Sequence, residues 1–65
     1  MKTVESLLRE IGIKANLGTW TDEQGHHAIC YTRKQGNSWV RILKDAGYKA
    51  KLVYDNYAYI VIFNK

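Results

Sequence analysis

The sequence predicts an α+β fold of element order αββαββ, with one four-stranded antiparallel sheet in the order 1-2-4-3 and both helices on one face. Three observations predict it. Apolar residues recur at helical spacing in two stretches, each closed by a glycine. Four stretches alternate with period two. The two halves also resemble each other: LLREIGIKANL (7–17) and ILKDAGYKAKL (42–52) share Leu8/Leu43, Gly12/Gly47, Lys14/Lys49, Ala15/Ala50 and Leu17/Leu52. HAICY (27–31) then aligns with YIVIF (59–63). Two such αββ units, about 3–33 and 38–65, form the sheet most simply as a circular permutation of the ferredoxin-like fold.

Thr3 and Ser38 are the expected N-caps, since a hydroxyl there accepts from an otherwise free backbone N–H. Val4, Leu7, Leu8 and Ile11 mark the first helix stripe, and Trp39, Ile42, Leu43 and Ala46 the second. Gly12 and Gly47 end the helices in the left-handed conformation. KANLGTW (14–20) and HHAICYTR (26–33) form the first hairpin around Thr21–Gly25, and KAKLVY (49–54) and YAYIVIF (57–63) the second. No proline interrupts any strand, and Lys14, Lys49 and Lys51 fall on edge strands, where charge discourages aggregation.

Sixty-five residues allow one domain, 1–65, and a marginal core. A composition 46% hydrophobic is too apolar for disorder, and no apolar run reaches the roughly 18 residues of a membrane span. The single Cys30 closes no internal disulfide, suits a reducing, cytoplasmic location and has no basic neighbour to activate it. His26 and His27 point to opposite faces of a strand and cannot share one scissile bond. Neither a metal-ligand cluster nor a cofactor motif is present, so no metal, no cofactor and no catalytic residue is expected.

The two central strands are apolar on both faces, whereas a half-exposed strand alternates apolar with polar. Helices cover one face only, so a ligand, a target protein or a second copy is expected on the other. Which side chains look out depends on the 54–57 turn, because a one-residue slip exchanges the faces. A three-residue loop Tyr54-Asp55-Asn56 turns Tyr57, Tyr59, Val61, Phe63, Ile29, Tyr31, His27 and Arg33 outward, flanked by Lys49 and Lys51. A two-residue turn at Asp55-Asn56 sends the aromatics inside. The first is favoured, because small aliphatics suit the space under short helices.

With aromatics outward, the face holds what single-stranded nucleic acid needs: rings for bases and cations for phosphates. The net charge of +4 favours such anionic partners. The expected binding residues are Tyr31, Tyr57, Tyr59, Phe63, Arg33, Lys49, Lys51 and His27. Trp20 joins them as either an edge shield or a partner anchor, while Trp39 is read as core. YAYIV (57–61) resembles the centre of the RNP1 motif of RNA-recognition motifs, which implies tyrosines that stack on RNA. Asp55-Asn56 stand where that family has a basic residue and Gly, and Ile62 replaces its last aromatic. LKDAGYKAKLV (43–53) followed by YAYIVIF is similar to the repeated half of SPOR domains, which implies glycan binding on an open sheet. The expectation is a non-enzymatic binding module for nucleic acid. The alternatives are a protein-interaction module (a small phage or mobile-element regulator or inhibitor, possibly a homodimer) and then a glycan binder.

Overall fold

The computed structural model describes residues 3–65. Helix α1 (Val4–Glu10) leads through residues 11–18 to the hairpin β1 (Thr19–Asp22) and β2 (Gly25–Cys30). Helix α2 (Arg33–Asp45) leads to the hairpin β3 (Lys49–Asp55) and β4 (Ala58–Asn64). All pairings are antiparallel, in the order β1-β2-β4-β3.

Both helices stop by the same device. The Ile13 N–H donates to the Leu8 carbonyl and Gly12 to Arg9; likewise Tyr48 donates to Leu43 and Gly47 to Lys44. These paired bonds, closing on a left-handed residue, form a Schellman motif. Gly12 and Gly47 have φ of +88° and +94°, and a Cβ at either would meet nothing within 4 Å. Backbone strain alone therefore decides the cost of a side chain there. Gly12→Val and Gly47→Val should each lose about 1–2 kcal/mol in chemical denaturation. Midpoints equal to the parent's would contradict the left-handed stops.

The helix starts differ from expectation at α2. Thr3 caps α1, its hydroxyl accepting from the Ser6 N–H. The cap of α2 is Thr32 rather than Ser38, accepting from the Gln35 N–H, while the Gln35 side chain accepts from the Tyr31 N–H. This threonine–glutamine exchange resembles a capping box and outcompetes the serine six residues later. Strand β2 consequently ends at Cys30, so Tyr31 and Arg33 leave the sheet. Strand β1 also starts late, at Thr19, because Ile13 and Ala15 are buried in the core and carry the chain from α1 to the sheet edge. Lys14 lies in that connection, not on an edge strand.

Strand β4 is turned over relative to the favoured expectation, with Tyr59, Val61 and Phe63 towards the helices. His27 and Ile29 of β2 look away from the helices and Ala50 and Leu52 of β3 towards them, as expected. Asn56 and Tyr57 both have positive φ, 51° and 63°, so the second hairpin closes on a two-residue loop between the paired Asp55 and Ala58. Two successive left-handed residues make a type I′ turn, whose twist matches the strands it joins. That register sets Ala50 beside Phe63 and Leu52 beside Val61, and β2 sets Ala28 beside Val61. Phe63, Val61 and Tyr59 therefore face the helices with Ala28 and Cys30. Leu8, Ile13, Trp39 and Leu43 close this core from the other side. Small and large residues alternate across the strands, so alanines and a phenylalanine share the space under the helices. Gly36 of α2 completes the fit: a Cβ there would lie 2.5 Å from Leu52 Cδ1 and 2.9 Å from Cys30 Sγ. No described helix is long and apolar enough to cross a membrane.

Candidate nucleic-acid interface

The expected binding residues separate into three groups. Phe63 is 1% exposed, with Tyr48 edge-on at 5.7 Å and His26 tilted at 5.3 Å, and is a core residue rather than a stacking platform. Its inward direction follows from the I′ turn described above.

A second group, Trp20 and His27 with Lys49 and Lys51, lies on the face away from the helices. The Trp20 and His27 rings stack at 4.7 Å and 12°. His27 is buried by this arrangement, and its Nδ1 lies 3.0 Å from the Gly25 carbonyl. A carbonyl only accepts, so Nδ1 carries the hydrogen and Nε2 is left 3.7 Å from an Asp22 carboxylate oxygen. His26 looks to the opposite face, 2.9 Å from the Thr21 hydroxyl. The two histidines are thus each engaged separately, and Trp20 both shields His27 and stays partly open to solvent.

The third group gathers at one end of the molecule, where β4 begins, β3 ends and α2 starts. Tyr54 and Tyr59 are cross-strand partners with ring centroids 4.8 Å apart. They line a hollow of about 240 Å³ with Leu52, Val53 and, from the first turns of α2, Arg33 and Asn37. Arg33 and Asn37 are four residues apart on a helix and so share one face. Among the described residues, none supplies a hydrogen bond or ion pair to the Arg33 guanidinium, the Asn37 amide or the two tyrosine hydroxyls. Tyr57, 93% exposed at the tip of the turn, and Tyr31, 68% exposed before α2, stand at the same end. The first turn of α2 has no acidic residue, and exposed Lys34 follows Arg33.

No family model, curated protein or solved structure matches this chain.

The geometry alone must therefore indicate chemistry. Among the described residues, no group of three or more His, Cys, Asp or Glu is placed to hold a metal ion. Cys30 donates its S–H to the Tyr59 carbonyl at 3.4 Å, and burial pushes its thiol up from the ordinary range, a backbone hydrogen bond acting in the opposite sense. A thiol so placed stays neutral at physiological pH and packs. The tyrosine end offers aromatic faces, two of them tilted against each other, and a guanidinium fork and an amide that have no hydrogen-bond partner among the described residues. Together these can stack a base, pair with a phosphate and hydrogen-bond a base edge. Tyr54 and Asn37 were absent from the expected set. The i, i+4 spacing of Arg33 and Asn37 becomes visible once Thr32 and Gln35 are read as a helix start.

Proposed function

We propose that this chain is a small non-enzymatic module that binds single-stranded nucleic acid at its tyrosine end rather than on its sheet face. The observation that carries the proposal is the hollow in which Tyr54 and Tyr59 stand beside Arg33 and Asn37, whose guanidinium and amide have no partner among the described residues. Its size supports a single base with the strand continuing outside, being below the roughly 300–1,000 Å³ of small-molecule sites. Tyr31 and Tyr57 extend the aromatic surface for neighbouring bases, and Lys34 with the overall +4 charge attracts the backbone. The matching glycine stops at 12 and 47 support reading the chain as two αββ units in a permuted ferredoxin-like arrangement.

The test is titration of a labelled single-stranded oligonucleotide at several salt concentrations. Tyr54→Ala should weaken binding by about 1–3 kcal/mol, the usual cost of a lost stacking ring. Because Tyr54 is exposed at a strand end, the variant should melt close to the parent. Arg33→Ala should weaken binding to every sequence and reduce the logarithmic salt slope by about one phosphate contact. No binding at low salt, or affinities indifferent to both changes, would remove the nucleic-acid reading.

A second reading, a protein partner on the face away from the helices, is favoured by a separate observation. Ile29, Ile60 and Val53 form one unbroken apolar row there and belong to no part of the core.

A further inference from the structure

We infer that the sheet face away from the helices is closed by a second copy of this chain, packed face to face about a twofold axis parallel to the strands. The strand registers arrange that face in three rows running from β1 to β3, with a fourth, shorter row of Ala58 and Asp55 on β4 and β3 at the turn. The first is Gly18, Ile29, Ile60 and Val53; the second is Trp20, His27, Ile62 and Lys51; the third is Asp22, Gly25, Asn64 and Lys49. The first row is apolar, and the middle row sets the already buried His27 and Ile62 side by side at its centre. Lys49 and Lys51 lie on the β3 side, with Asp55 beyond Val53 at the turn end of that strand, while Asp22 and Trp20 lie on the β1 side.

This left–right asymmetry selects the partner and its orientation. An axis parallel to the strands keeps each row over itself and exchanges its two ends. Ile60 then meets Ile29 of the second copy, and Val53 meets Gly18, which has no side chain to obstruct it. Lys49 meets Asp22 of the second copy, and Lys51 lies over its Trp20, an ammonium over an indole face. Each contact occurs twice, as a twofold interface requires. An in-plane axis across the strands would instead lay β3 on β3 and oppose lysine to lysine. The chosen arrangement is the aligned packing found in β-sandwiches, with inner faces about 10 Å apart.

The area sets the strength. Four strands at ~4.8 Å spacing and about six residues at ~3.3 Å each give roughly 400 Å² per copy. The total of about 800 Å² lies below the roughly 1,200–2,000 Å² of stable specific complexes, so the dimer is weak and reversible.

Sedimentation velocity of the full chain decides it. The weight-average mass should rise from one copy towards two over about 10 µM to 1 mM. Ile60→Asp should hold the protein as a folded monomer throughout, since Ile60 lies outside the core cluster and is half-buried. Lys49→Glu and Asp22→Lys should each weaken the dimer about three- to tenfold, and the double variant should restore it. Thermal melts of each variant separate loss of dimer from loss of fold, because Asp22 also accepts the Gln24 N–H. A monomer at every concentration, or a dimer that survives Ile60→Asp, overturns the proposal; a double variant weaker than either single change overturns the orientation. If the parent is monomeric but a different protein occupies the face, Ile60→Asp will release that protein, and self-association is rejected.

Discussion

Phe63→Ala should leave the protein largely unfolded at 25 °C. The ring is 1% exposed and is held between Ala50 and His26 on the neighbouring strands, with Tyr48 against its edge. Truncating a fully buried phenylalanine costs about 3–5 kcal/mol, from lost transfer energy and from the cavity left behind. A core in so small a chain rarely supplies more than about 3–5 kcal/mol in total. Nothing offsets the loss, because the described residues include no disulfide and no metal cluster. Far-UV circular dichroism and amide dispersion in an NMR spectrum read the outcome directly. The same variant also tests the register of the second hairpin. Were Phe63 on the face away from the helices, its removal would leave a folded protein. A cooperative melt near the parent's would therefore refute the Asn56-Tyr57 turn.

The strand order was legible because two αββ units pair most simply in that order, and both helix stops because each rests on a local signal that the fold does not override. A glycine after an amphipathic stripe can take a left-handed φ cheaply, and both Gly12 and Gly47 do so. The register was not legible, for a physical reason. Both faces of β2 and β4 are apolar, so burial does not discriminate between registers that differ by one residue. The decision passes to the turn, and there the deciding residue is Tyr57 in a conformation that tyrosine seldom adopts. Aligning Ser38 with Thr3 also obscured the start of α2. Ser38 matches Thr3 between the two halves, whereas the Thr32–Gln35 exchange supplies the hydrogen bonds at the true start.

The same two displacements explain how the candidate binding residues are regrouped. Tyr31, Arg33, Tyr57 and Tyr59 were assigned to a broad sheet face, and the structure collects them at one end of that sheet. Ending β2 at Cys30 moves Tyr31 and Arg33 onto the approach to α2. Turning at Asn56-Tyr57 places Tyr59 opposite Tyr54 and lifts Tyr57 to the tip. A face-to-face dimer about an axis parallel to the strands would leave both tyrosine ends pointing the same way. Two weak single-strand sites would then act together, with an effective concentration set by their fixed spacing. Oligonucleotides long enough to reach both ends should gain affinity only where the dimer forms.

Gly36→Val is the second change with a large expected effect, because one position governs both stability and the candidate site. Gly36 is buried on the sheet-facing side of α2, between Arg33 and Asn37 in sequence. A branched side chain there meets Leu52 and Cys30 inside van der Waals range, so α2 must lift from the sheet. Overpacking of this kind costs about 1–3 kcal/mol, only slightly offset by the better helix propensity of valine. Leu52 also lines the hollow, so lifting the helix moves Arg33 and Asn37 away from Tyr54 and Tyr59. Gly36→Val should therefore lower the melting temperature and weaken oligonucleotide binding in the fraction that remains folded. Gly36→Ala separates the two contributions. Its methyl is the Cβ itself, 2.5 Å from Leu52 Cδ1 and 2.9 Å from the buried Cys30 Sγ, so it should lose stability too, but less than valine, the helix gaining about 1 kcal/mol over glycine. Leu52→Ala combined with Gly36→Val should recover part of the lost stability, since the smaller residue vacates the contested space. A Gly36→Val protein as stable as the parent would show that α2 does not approach the sheet this closely, and the hollow built on that approach would lose its basis.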